Sequence, residues 1–265
     1  MKGMMSIFNV RQLTPAQSAA VGQQIEVIRF RNERSVNYHM KRVFGRIGRT
    51  LKEFNVLPDE GQVYQAAHSQ DAYIKRILEN TYVSVGLEME PLVSSMVDRS
   101  DMSDIYLKYI QQIAGIHITQ ITETTLEDIR KLMSNSATSA EFKAQIDKYW
   151  RAQQTYRAYV IARTETAAAS TATADLTVKT YDTGRRKQKT WNTISDTAVR
   201  IAHREMDGVT VPYEMNFEVP YYIRKMGMDI RVGTDRMKYP LDMSSNAHAG
   251  NIVNCRCFCT YSYAD

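Results

Sequence analysis

The chain has 265 residues, 43% of them hydrophobic and 24% charged, with a formal net charge of +5; these are the proportions of a folded globular protein and exclude disordered, collagen-like and rod-like classes for the chain as a whole. Six Pro and 12 Gly are few for this length, which favours long helices over a turn-rich all-β fold. No apolar run approaches the roughly 18–20 residues of a membrane helix, and Met1 to Val10 carries one Lys and no apolar core, so neither a membrane span nor a signal peptide is expected.

Charge is uneven along the sequence. Residues 1–57 hold ten Lys/Arg against three acids, residues 58–150 eight against fourteen, and residues 151–265 sixteen against twelve. The first predicted element begins at Leu13-Thr14-Pro15, with Thr14 as N-cap and Pro15 at the first helical position. From there to Phe54 apolar residues recur at three- and four-residue steps, among them Val21, Ile25, Ile28, Val36, Met40 and Val43. Arg29, Arg34, Lys41, Arg42, Arg46, Arg49 and Lys52 are assigned to the opposite face. The spacing predicts an amphipathic basic helix, with a break near Gly45 or Gly48, whose charged face is either a solvated surface or a site for DNA or an acidic partner.

Leu57-Pro58-Asp59 predicts a stop and a new start. A second helix is expected over about 60–98, interrupted at Pro91, and a third segment opens at Asp101 and Ser103. Thr124 is expected to cap a short helix from Thr125 to Met133, and Ala137-Thr138-Ser139 to cap a long one running through Trp150 to about Thr177. The texture changes near Asp182-Thr183-Gly184. A basic cluster follows (Arg185, Arg186, Lys187, Lys189), then a predicted helix from Gln188 to Met206 with Trp191, Ile194, Ala198 and Ile201 as its stripe and Asp207-Gly208 as its stop. Three of the six Pro lie in the last 58 residues, which read as short strands over Val209–Val211, Met215–Val219, Ile230–Val232 and Ile252–Tyr263. The predicted fold class is α+β: a predominantly helical body over residues 1–150, then a small α+β module over 151–265.

Phosphate-loop, dinucleotide, nucleophile-elbow and zinc-protease signatures do not occur, and no enzymatic activity is expected. Chemistry-bearing residues cluster only near the C-terminus. The three cysteines, Cys255, Cys257 and Cys259, are too few and too close in sequence for a disulfide framework. On a strand they would share one face. Cys255 and Cys257 could then bind zinc with His203, the fourth ligand being Cys259, Asp207 or His248. The alternatives are three buried thiols packing as small hydrophobes, or a catalytic thiol with His203 as base.

In order along residues 160–260 stand Ala162-Arg163-Thr164-Glu165, Lys189-Thr190-Trp191, Arg200-Ile201-Ala202-His203, Asp207-Gly208, Phe217, Pro240-Leu241-Asp242 and Asn254-Cys255-Arg256-Cys257. This series resembles the Mu F-like phage head morphogenesis proteins, or minor head proteins. Two positions depart from the family pattern: Leu241 stands where Gly is expected, and Cys259 is extra. The resemblance implies a low-copy virion component recruited to the portal vertex, acting in head assembly and in genome packaging or ejection. Its implied partners are the portal, other head proteins and packaged double-stranded DNA, with no membrane, and its implied locations are the phage head and, during assembly, the host cytoplasm. The polar residues Arg163, Glu165, Arg200, Asp207, Asp242 and Asn254 are expected to form a structural network. In a metal-free core His203 would hydrogen-bond Asp207 or Asp242; otherwise one structural zinc ion is the expected cofactor. The alternative function is a metal- or thiol-dependent nuclease or transferase using His203, Cys255 and Cys257.

Overall fold

The computed structural model describes residues 8–9, 13–93, 99–180 and 184–263. Asp182 and Thr183, where the composition changes, lie outside these, as does most of Met1 to Val10. A two-residue strand β1 (Phe8–Asn9) precedes α1 (Pro15–Glu53). Thr14 caps α1 as expected: the Gln17 amide donates to Thr14 Oγ1, and the Thr14 amide donates to Gln17 Oε1. The expected break does not occur. Gly48 lies inside the continuous helix, where a Cβ would collide with the Trp150 indole. Its glycine makes a seat for that ring, not a break.

The stretch after Pro58 divides elsewhere than predicted. Asp59 caps α2 (Glu60–His68) in a reciprocal box with Gln62, and α3 (Asp71–Val93) continues past Pro91. The boundary falls at Ser69-Gln70, where the Ser69 hydroxyl donates to the Ala66 carbonyl. The two segments predicted between 101 and 133 are one helix, α4 (Arg99–Ser134). Thr124 does not cap, because its hydroxyl donates to the Gln120 carbonyl one turn back, as that of Thr125 does to Ile121; bonded in this way, threonine is accommodated inside a helix. Thr138 does cap α5 (Ser139–Thr180), exchanging hydrogen bonds with Glu141. The Ala/Thr-rich run within α5 is buried, and Thr171, Thr173 and Thr177 satisfy their hydroxyls on carbonyls of the preceding turn.

The predicted helix from Gln188 is replaced by a strand, β2 (Lys187–Asn192), an irregular stretch, and a short helix, α6 (Ile201–Met206). Then come β3 (Thr210–Pro212), β4 (Phe217–Lys225), β5 (Met228–Met237), one helical turn α7 (Ala249–Ile252) and β6 (Phe258–Tyr263). The strand predicted over 252–263 is therefore confined to its second half. The observed class is α+β, as predicted.

Two compact units emerge: one of Met1–Asn32, Tyr82–Tyr106 and Arg163–Asp265, the other of Glu33–Thr81 and Leu107–Ala162. The second is helical, with a core that includes Met40, Phe44, Ile47, Leu78, Ile129, Phe142 and Trp150. The first contains a four-stranded sheet in the order β1-β6-β2-β3, in which β1 runs parallel to β6 and the other pairs are antiparallel, and a separate β4-β5 hairpin. Within this unit α1 meets β6 closely: a Cβ on Gly22 would lie 2.8 Å from the Phe258 ring.

Candidate metal centre

Three side chains from two segments of the first unit converge on one buried point. The α6 helix contributes His203, and the irregular segment before β6 contributes Cys255 and Cys257; all three are at most 3% exposed. Cys255 and Cys257 are thus not on a strand. Asn254 has φ +59°, a left-handed conformation that Asn tolerates better than most residues. Its amide donates to Thr164 Oγ1 on α5 at 2.9 Å. Together these turn the chain so that both sulfurs face His203.

The distances have a chemical meaning. His203 Nδ1 lies 3.5 Å from Cys255 Sγ and 3.5 Å from Cys257 Sγ. Metal bonds of about 2.3 Å to sulfur and about 2.0–2.1 Å to nitrogen at a tetrahedral angle put N and S roughly 3.6 Å apart. The three ligand atoms lie within 4.8 Å of one another, so the donor set fits a small thiophilic ion. A cavity of about 20 Å³, lined in part by Ile194, Arg200, Asn254 and the three donors, adjoins them. That volume holds one ion or water, not an organic substrate.

The two thiols are not equivalent. Burial pushes the Cys255 thiol up, but a hydrogen bond from Cys257 and the charge of His203 outweigh it and hold Cys255 well below the ordinary thiol range. For Cys257, burial and its hydrogen bond to Cys255 act in the same direction and hold it well above. The pair is therefore poised to carry one thiolate, the form in which cysteine ligates metals. The Trp191 ring closes one side, 5.6 Å from His203 and edge-on to Phe217 at 5.3 Å.

The other predicted ligands stand apart from this group. Cys259 lies on β6, where burial raises its thiol pKa most and Lys189 opposes the shift. Asp207 accepts the Thr193 amide at 2.7 Å. His248 accepts the Gly250 amide and stacks on Tyr221 at 4.7 Å. Neither Asp207 nor Asp242 serves His203, whose Nδ1 faces the sulfurs and whose Nε2 is buried without a hydrogen bond among the described residues.

Several members of the expected polar group make ties of their own. Arg200 donates to the Val253 carbonyl. Asp242 is 1% exposed and accepts the Lys238 amide and the amide and hydroxyl of Ser244. Gly208, with φ +79°, ends α6 and donates its amide to the Trp191 carbonyl. Glu165 is buried and Arg163 half-buried, on α5 beside the Thr164 that anchors Asn254.

Sequence reasoning missed Arg29. Assigned to the charged face, it is 1% exposed. Its guanidinium donates to Ser170 Oγ at 2.8 Å, the Arg256 carbonyl at 2.7 Å, the Cys257 carbonyl at 3.1 Å and Glu26 at 3.2 Å. It therefore clamps the backbone that presents the cysteines. The signal was its spacing, four residues after Ile25 on the apolar side of α1.

A family model described as phage Mu protein F like protein matches residues 123–260, just over half of the chain, and covers this cluster. The chain belongs to that family. Membership points to phage head morphogenesis and to a virion location. No match was found among curated proteins or among solved structures. The described helices of this Mu F-like protein include none long and apolar enough to cross a membrane.

Proposed function

We propose that the protein is a minor head protein, a low-copy component recruited to the portal vertex that acts in head assembly and in genome packaging or ejection. The observation that carries this reading is the family match over residues 123–260. The roles of the motif residues support it: Arg200, Asp207, Gly208 and Asn254 each join segments distant in sequence, and Asp242 holds its own turn, as a folding motif does. Mass spectrometry of purified particles should find the chain at low copy beside portal and major capsid protein. Its absence from both procapsids and mature virions would overturn the assignment.

His203, Cys255 and Cys257 would hold one zinc ion, whose contribution would be structural, tying the segment before β6 to α6. The matching N···S distances and the single-ion cavity support this reading. Protein purified without chelator should contain close to one equivalent of zinc, and Cys257→Ser should release it and lower the melting temperature. Metal-free wild-type protein whose melting temperature ignores chelator would refute the zinc reading. The exposed cations of α1 (Arg34, Lys41, Arg42 and Arg49) would face packaged DNA or an acidic portal surface.

A further inference from the structure

The basic cluster that follows α5 has a shape as well as a charge. Lys179 at the end of α5, and Arg185, Arg186 and Lys187 leading into β2, line an open groove of about 670 Å³ with Tyr213 and Glu214. Glu214 is the one carboxylate in that described lining, against four cations. Lys179, Arg185 and Arg186 are exposed and make no ion pair among the described residues. Lys187 is held in place, donating to the Val178 carbonyl at 2.9 Å.

We propose that this groove binds the phosphate backbone of double-stranded DNA, as a surface separate from the cations of α1. The proposal rests on the head-protein reading for the choice of DNA among polyanions. The disposition of the rings selects duplex over single strands. Single-strand binders present aromatic faces on which bases stack. Here the rings are already covered: the Arg185 guanidinium lies 4.1 Å from the Tyr263 ring centre, and the ammonium groups of Lys187 and Lys189 lie 5.6 and 5.4 Å from that of Tyr213. What the groove offers is positive charge, which neutralises phosphates without reading sequence. Arg185, held over its ring, is pre-ordered for that contact.

Fluorescence anisotropy of the full chain with a short random-sequence duplex, titrated between about 50 and about 200 mM salt, tests this. Wild-type protein should bind, with affinity falling steeply as salt rises. The triple variant Lys179→Gln, Arg185→Gln, Arg186→Gln should lose about tenfold or more in affinity at low salt and flatten the salt slope by about 0.9 for each contact removed. Because Arg185 covers Tyr263, the double variant Lys179→Gln, Arg186→Gln provides a version that leaves this packing untouched. A single strand of equal length should bind more weakly than the duplex. Wild-type affinity and slope in both variants would overturn the proposal, and so would a duplex left unbound at low salt. If duplex is not bound but the variants fail to enter particles, the groove serves an acidic protein surface instead. Detection of the wild-type chain in particles is a separate readout, so failure of the head-protein reading stays distinguishable.

Discussion

A guanidinium at 1% exposure is tolerable only where its donors are satisfied, and Arg29 meets that condition by bonding the carbonyls of Arg256 and Cys257. Removing it leaves those carbonyls and Ser170 without a donor in a buried place, and Glu26 without its nearer cation. Arg29→Met should therefore cost about 3–5 kcal/mol in chemical denaturation. Arg29→Lys, which keeps the charge but not the planar fork, should recover only part of it. Under the proposed zinc reading the Met variant should also bind zinc more weakly in a chelator competition, because the clamp sets where Cys257 stands. Unchanged stability and unchanged metal competition would remove the clamp role. Leu241 shows a different balance at the same scale. It adopts φ +63° where the family pattern has Gly, yet it is 1% exposed. The strain of about 1–2 kcal/mol for a left-handed residue is offset by roughly 1.5–3 kcal/mol from burying the side chain, so the turn at Asp242 persists without its glycine.

Elements announced by caps were legible, and those decided by partners were not. Thr14 and Thr138 mark helix starts that the structure reproduces, because a cap acts within four residues. The long α4 helix looks like pieces in the sequence because Thr124 resembles a cap when its local hydroxyl bond to Gln120 is unseen. The β2 strand looks helical in the sequence because Trp191, Ile194, Ala198 and Ile201 happen to follow a helical period. Its pairing with β6, from Lys187↔Tyr263 to Asn192↔Phe258, spans about seventy residues of sequence. Such pairing overrides local preference, and a window of a dozen residues cannot register it. The same limit applies to the cluster. The residue types His203, Cys255 and Cys257 were legible, and the buried triplet unites them, but the strand geometry assumed for them was not observed. A left-handed Asn254 and an anchoring Thr164 bring the sulfurs together instead.

At the scale of the whole molecule, charge is divided between two kinds of site. Arg29 is internal and belongs to the unit that holds the His–Cys cluster, while Arg34, Lys41, Arg42 and Arg49 lie on the exposed side of α1 in the helical unit. Arg46 belongs to neither group. Its guanidinium lies 4.9 Å from the Tyr73 ring centre and donates to Gln70 at 3.3 Å, and Lys52 pairs with Asp147 at 2.8 Å. Replacing Arg46 would therefore disturb packing as well as charge. Arg42 and Arg49 are the informative pair, since Arg42 touches only the exposed Tyr38 among the described residues. Arg42→Gln with Arg49→Gln should change the unfolding free energy by no more than about 1 kcal/mol, as surface changes usually do. If this face meets DNA or an acidic portal surface, the double variant should be incorporated into particles less well, or retain less DNA, with the deficit largest at low salt and shrinking as salt screens the wild-type contacts. Incorporation and DNA retention at wild-type levels would assign this face of α1 to solvation alone.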